Sequence, residues 1–343
     1  MTGHYTGHRD CIITTMDALS DVLRVVQLTG AVYLDGAFSA PWCVIVPADS
    51  VLCSAYLPPS ERVVSFHLVT EGGCWAMLPN DPGSALQVDA GDVIVVPQGE
   101  THLLCSSTDL SPEFLGPLLA NQVETTPGEV MTLAYGGGGA VTRMVCGFLA
   151  AQDISRNPLL SALPRLFKLS MRGSSASWLE SSLRFATEKA ASAHAGSATV
   201  LAKLAELLFV EAVRRYVDTM PDDSKGWLAG LRDRFVARAL TLMHARPAHP
   251  WTVEDLAHRV GMSRSALAQR FADLIGVAPM QYLAQWRLRL AARQLRLSDR
   301  PLASVAEDVG YDSETAFNRA FKREFGVPPA TWRRNAADSA TRD

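Results

Sequence analysis

The feature that most constrains this chain is an internal duplication in roughly its last hundred residues. Leu256-Ala257-His258-Arg259-Val260-Gly261-Met262-Ser263 returns 49 residues later as Val305-Ala306-Glu307-Asp308-Val309-Gly310-Tyr311-Asp312. Ile275-Gly276 and Pro279 return 50 residues later as Phe325-Gly326 and Pro329. In the first copy Thr252 suits a helix N-cap, with Glu254 and Asp255 in the first turn, where negative charge complements the helix dipole. Val253, Leu256, Ala257 and Val260 follow at helical spacing, and Gly261 permits a sharp turn. Ser263 then caps a second helix with an apolar face of Leu267, Phe271 and Leu274. The second copy runs from Pro301 through Leu302, Val305, Ala306 and Val309 to Gly310, in a turn one residue longer. Asp312 or Ser313 caps its second helix, which buries Phe317, Phe321 and Phe325. Each copy is a helix-turn-helix, a unit whose second helix enters the DNA major groove.

The connector from Pro279 to Leu297 is apolar at helical spacing and carries Arg287, Arg289, Arg293 and Arg296. At 1.5 Å per residue it spans on the order of 25 Å, the scale that holds two recognition helices about one DNA turn apart. Charge agrees. Residues 231–334 hold 17 Lys and Arg against 10 Asp and Glu, a net of +7, in a chain whose net is −3. A basic module inside an acidic chain suits phosphate attraction. The outward edge of the first recognition helix carries Ser263, Arg264, Ser265 and Gln269. That of the second carries Ser313, Glu314, Thr315, Asn318, Arg319, Lys322 and Arg323. Arg forks onto guanine and Asn or Gln onto adenine, while Lys322 and Arg323 sit where phosphate contacts are expected.

The duplication, and above all the run from Gly310 to Pro329, resembles the AraC/XylS family of transcription regulators over about residues 231–334. The resemblance implies double-stranded DNA and RNA polymerase as partners and base readers at the helix positions named above.

Residues from about Thr29 to Arg143 read as β-rich, with short strands around Trp42–Val46, Val63–Val69, Cys74–Leu78 and Val93–Val96. Glu71-Gly72-Gly73 reads as a hairpin turn. Gly91 to His102 fits the second cupin motif, Gly-x5-Pro-x-Gly-x2-His, at every fixed position. The first cupin motif is degraded: Ser65-Phe66-His67 lacks its first His, and Leu78 stands where the motif has Gly. The region resembles the cupin sensor fused to many AraC-type regulators, which makes His67, Glu71 and His102 candidate effector-pocket residues. The same three are the candidate ligands of a metal site, against a metal-free barrel with no cofactor. All six cysteines (Cys11, Cys43, Cys53, Cys74, Cys105 and Cys146) lie in the first half, with no Cys-x-x-Cys pair. Buried thiols are one reading and an oxidant sensor is the other, with Cys74 and Cys105 the first to test because they flank the pocket motifs.

The resulting fold class is α+β multidomain: a cupin-like β-barrel with a helical hairpin, followed by an all-α double helix-turn-helix domain. The expected boundaries are 1–175 for the sensor, 176–220 for the hairpin, 221–230 for a linker and 231–334 for the DNA-binding domain. Its motifs lie at 252–275 and 302–325, and 335–343 is expected to be a disordered tail. The apolar hairpin is a natural seam for a homodimer. The polar start lacks the apolar segment of a signal peptide and no long apolar run exists, so a cytoplasmic protein without membrane contact is expected. Two functions stay open. One is a DNA-binding regulator governed by a small molecule or by thiol oxidation. The other is a metal-dependent cupin enzyme, an oxygenase or isomerase, with an accessory helical domain.

Overall fold

The computed structural model describes residues 18–25, 28–47, 62–120, 130–151, 158–172, 181–182 and 197–340. The chain forms two compact units, Val26–Ala229 and Met1–Val25 with Gly230–Asp343.

The first unit is built on two sheets. Strands β1 (Leu28–Ser39), β3 (Arg62–Glu71), β6 (Asp92–Val96), β9 (Met131–Gly136), β10 (Val141–Ala151) and β11 (Phe167–Ser170) form one, in the order β11-β6-β3-β10-β1-β9. Strands β2 (Cys43–Val46), β4 (Gly73–Leu78), β5 (Asp81–Asp89), β7 (His102–Cys105) and β8 (Glu113–Phe114) form the other, in the order β5-β4-β7-β2-β8. The strand region therefore runs past Arg143 to Ser170. Alternate residues of β2, β4, β7 and β10 (Val44 and Val46, Cys74 and Ala76, Leu104, Met144, Cys146 and Phe148) meet in one core with Phe38 and Trp42. This is the period-two pattern of strands packed face to face.

Helix α1 (Ala18–Val25) precedes β1; α2 (Leu115–Ala120) and α3 (Pro158–Ala162) are short connectors. Helix α4 (Ser197–Thr219) covers the outer face of the six-stranded sheet. It buries Leu201, Ala205, Leu208, Phe209, Ala212 and Val213, and its Leu201 carbonyl accepts from the Tyr33 hydroxyl at 2.7 Å. Its packing is on β1, β10 and β11. Helix α4 is the second arm of the expected hairpin; of the first arm only residues 181–182, which are helical, are among those described.

Helix α5 (Trp227–Arg232) straddles the boundary between the units, and the second unit is helical: α6 (Arg234–Ala245), α7 (Val253–Val260), α8 (Arg264–Ile275), α9 (Pro279–Leu297), α10 (Leu302–Asp308), α11 (Glu314–Phe325) and α12 (Pro329–Ala340). Helix α1 belongs to this unit, not to the barrel with which the sequence grouped it. Its Ala18 and Val22, one turn apart, are buried at 2% and 0% exposure, and it packs on α6. Residues 227–230, expected as the end of the linker, lie in a helix, and α12 runs to Ala340, so the tail expected from 335 continues as helix. Phe317, Phe321 and Phe325 of α11 pack with Leu288, Ala291 and Leu295 of α9 around Trp332.

Candidate functional site

The two recognition helices are built by the same local chemistry, whereas the helices before them start differently, α10 following Pro301 with no side-chain cap. Thr252 and Asp255 cap α7 reciprocally, side chain to backbone in both directions. Ser263 and Ser313 both sit in extended backbone, and each hydroxyl accepts from the N–H three residues on, Ala266 or Ala316, at 3.2 Å. Each recognition helix ends at a glycine with positive φ, Gly276 at 84° and Gly326 at 80°, and each following helix opens on proline, Pro279 or Pro329. The two serines therefore serve as caps, a role that orients the helices, and Ser313 rather than Asp312 takes the position.

Leu267 and Phe271 of α8 and Phe317, Phe321 and Phe325 of α11 are buried. Arg264, Ser265 and Gln269 stand exposed on α8, as do Glu314, Thr315, Arg319, Lys322 and Arg323 on α11, with Asn318 half-buried. The outward edges are thus the polar ones named from the sequence. Gln269 donates its amide N–H to Asp273 at 2.7 Å, which commits one of the donors an adenine contact would use. Two supports were not legible beforehand. Asp233 caps α6 through Phe235 and Val236 and also pairs with Arg270 of α8 at 2.7 Å, fixing one helix against the other. Burial opposes ionisation of Asp233, but the Arg270 guanidinium and the cap N–H groups outweigh it and hold its carboxyl below the usual value. Arg287 of α9 donates to the carbonyls of Pro247 and His249 at 2.6 and 2.9 Å, holding the segment on which the second turn rests.

In the barrel, His67 of β3 and His102 of β7 meet across the two sheets with both side chains fully buried and their Nε2 atoms 2.7 Å apart. His102 Nδ1 lies 2.9 Å from the Glu100 carbonyl and so carries the proton that it donates there. Its Nε2 is then an acceptor, His67 Nε2 must be the donor, and His67 Nδ1 is a bare acceptor with no partner among the described residues. Burial pushes His102 down to about 4. Burial and the neighbouring His102 push His67 well below its ordinary value.

Glu71 does not join them. A register shift between Arg143 and Met144 puts an extra residue into β3, and the Glu71 side chain turns outward, 61% exposed, to pair with Arg143 at 3.1 Å. The candidate three-ligand set is therefore not assembled: two imidazoles face each other in hydrogen-bond contact and the carboxylate is outside. Among the described residues no group of three His, Cys, Asp or Glu side chains has the arrangement to hold a metal ion.

The cysteines also sort differently from the expectation. Cys105 is joined by a disulfide to Cys43, a partner the sequence did not single out. Cys74 and Cys146 are free and buried in the main core. Burial, with Asp89 nearby, pushes the Cys74 thiol up to about 12, and burial also raises Cys146. Neither is a ready thiolate. Cys11 and Cys53 lie outside the described residues.

Residues 17–218 match the cupin family and residues 256–335 match a helix-turn-helix domain family. An AraC-like transcription regulator of Streptomyces antibioticus is 31% identical over 320 residues, 93% of this chain and 99% of its own length. The chain belongs to the AraC family of transcription regulators. The regulator AlkR of Acinetobacter baylyi is 29% identical over 326 residues, 94% of this chain and 100% of its own. Among solved structures, the DNA-binding domain of AdpA in complex with a target DNA is 35% identical, with a TM-score of 0.30 over 32% of this chain and 96% of that one. This AraC-family chain is a DNA-binding transcription regulator with an N-terminal cupin-fold domain. The whole-length relatives are regulators, which sets aside the metal-dependent enzyme considered from the sequence. Among the described residues no helix is long and apolar enough to cross a membrane.

Proposed function

We propose that this regulator reads two successive major-groove faces of duplex DNA with the outward edges of α8 and α11, and that the barrel adjusts that binding in response to a signal. One observation carries the reading: two helices, each capped by a serine hydroxyl and each closed by a left-handed glycine, expose polar edges while burying apolar faces. Arg264 and Gln269 read bases from the first helix; Glu314, Thr315, Asn318 and Arg319 read them from the second. Ser263, Ser265 and Ser313 hold the helix starts against the backbone, and Lys322 and Arg323 meet phosphate. The protein acts as a cytoplasmic homodimer on two half-sites, with α4 offering exposed Val200 and Leu207 one heptad apart toward a second copy, and it engages RNA polymerase. The signal is a small molecule at the His67–His102 site or an oxidant at the barrel's thiols, and it shifts which arrangement is populated.

Arg319→Ala tests the site assignment. It should weaken binding to the preferred duplex by about 1–3 kcal/mol and relax preference at one base position. A gel-shift titration showing unchanged affinity and unchanged base preference rejects it.

A further inference from the structure

We propose that Cys43 and Cys105 form a reversible dithiol–disulfide pair through which a small oxidant of the peroxide class sets the state of the barrel and hence DNA affinity. The inference rests on the regulatory reading above and names its chemistry.

The strand register is the first support. Cys43 of β2 and Cys105 of β7 are direct partners in the antiparallel ladder that continues through Val44–Leu104 and Ile45–Leu103 to Val46–His102. Neighbouring strands therefore hold the two sulfurs together whether or not they are bonded, and reduction requires no change of fold.

The second support is location. Period-two alternation sends Val44, Val46 and Leu104 into the main core and Cys43 and Cys105 to the opposite face. There they form a small satellite cluster with Met77, under the partly buried Trp75, Leu103 and Leu110. Both cysteines are buried, at 3% and 1% exposure, but beneath this small cluster rather than inside the main core, so a peroxide reaches them through a local opening of that cover. The free thiols Cys74 and Cys146 are in the main core with their ionisation suppressed, so they do not compete.

The third support is what the bond connects. Strand β2 is held by only four residue pairs to β7 and two to β8, a corner with little backbone pairing of its own. A cross-link at one end of the β2–β7 ladder stiffens a strand whose other end is His102. On the other side, the Trp42 carbonyl accepts from the Ser106 N–H at 2.8 Å, the Trp42 N–H donates to the Ser106 hydroxyl at 3.0 Å, and the Trp42 ring packs on Phe38 at 4.5 Å. The bond thus reaches both the histidine pair and the aromatic lining.

The chemistry balances. One thiolate attacks a peroxide oxygen, the O–O bond breaks, and a sulfenic acid and an alcohol or water result. The second thiol displaces the sulfenic oxygen as water and the S–S bond forms. Two electrons and two protons leave the cysteines, and a small dithiol returns them by exchange.

The test uses the full chain, first reduced with dithiothreitol, then treated with hydrogen peroxide and trapped with an alkylating reagent. Peptide mass spectrometry should show loss of alkylation at Cys43 and Cys105 together, with recovery on re-reduction. In parallel, a duplex selected by the reduced protein from a random pool is titrated against both forms. We expect at least a fivefold difference in affinity, absent in Cys43→Ala and in Cys105→Ala and retained in Cys74→Ala. Persistence of both thiols after peroxide overturns the proposal. So does equal affinity of the two forms, or a peroxide response that survives in both alanine variants. If the alanine variants fail to fold, the wild-type reduced and oxidised forms still decide it. Failure to select any duplex would instead strike the base-reading assignments, while the thiol map would still be read.

Discussion

Gly261 and Gly310 occupy the same place in the two copies, yet their surroundings differ enough for one substitution to give two outcomes. Both have positive φ, 79° and 84°. An alanine at either position meets the left-handed penalty, about 1–2 kcal/mol, partly offset by about 0.4–1 kcal/mol from the stiffer unfolded chain. At Gly261 an added methyl meets nothing within 4 Å, so Gly261→Ala should cost about 1 kcal/mol. At Gly310 it would lie 2.7 Å from the Ala248 Cα and 2.9 Å from its carbonyl oxygen. That backbone cannot swing aside freely, because Arg287 binds the carbonyls on either side of it, at Pro247 and His249. Forcing it to shift adds about 1–3 kcal/mol, so Gly310→Ala should cost about 2–4 kcal/mol. Urea unfolding of the full chain, followed by far-ultraviolet circular dichroism, separates the two. Equal losses, or a milder effect at Gly310, would refute the claim that the second turn is wedged against the segment between α6 and α7.

Two further outcomes follow from single groups. Burial lowers His102 to about 4 and His244, stacked on Trp286 at 3.9 Å, to about 3. Below about 6.5 the unfolded chain takes up protons that these residues refuse in the fold, so stability should fall from pH 7 to pH 5 by about 2 kcal/mol per histidine and level off near their folded values. Urea midpoints that are flat or rising across that window would contradict it. Asp233→Ala removes the α6 cap and should cost about 1–2 kcal/mol, whereas Asp233→Asn keeps the cap and should cost less. Thermal melts of the two variants check the order, and equal losses would mean that the charge pairing with Arg270, not the cap, does the holding.

The helical half was legible because its determinants are local. Thr252, Ser263, Gly261, Gly276 and their counterparts act on backbone groups within four residues, and burial of Phe317 and Phe321 follows from period alone. His67 and His102 were likewise fixed by motif spacing, and the structure sets them side by side. Glu71 became a candidate through the cupin motif although it sits at the turn, and only the partner strand reveals the extra residue that turns it out. The tie between Cys43 and Cys105 was equally hidden, since it depends on which strands become neighbours across 62 residues of sequence. The placement of α1 on α6, with the barrel lying between them in the chain, belongs to the same class.

That placement matters to anyone dissecting the molecule. A cut between Ala229 and Gly230 would leave the carboxyl-terminal piece with a bare greasy strip on α6, and the amino-terminal piece with a sticky helix that has lost its seat.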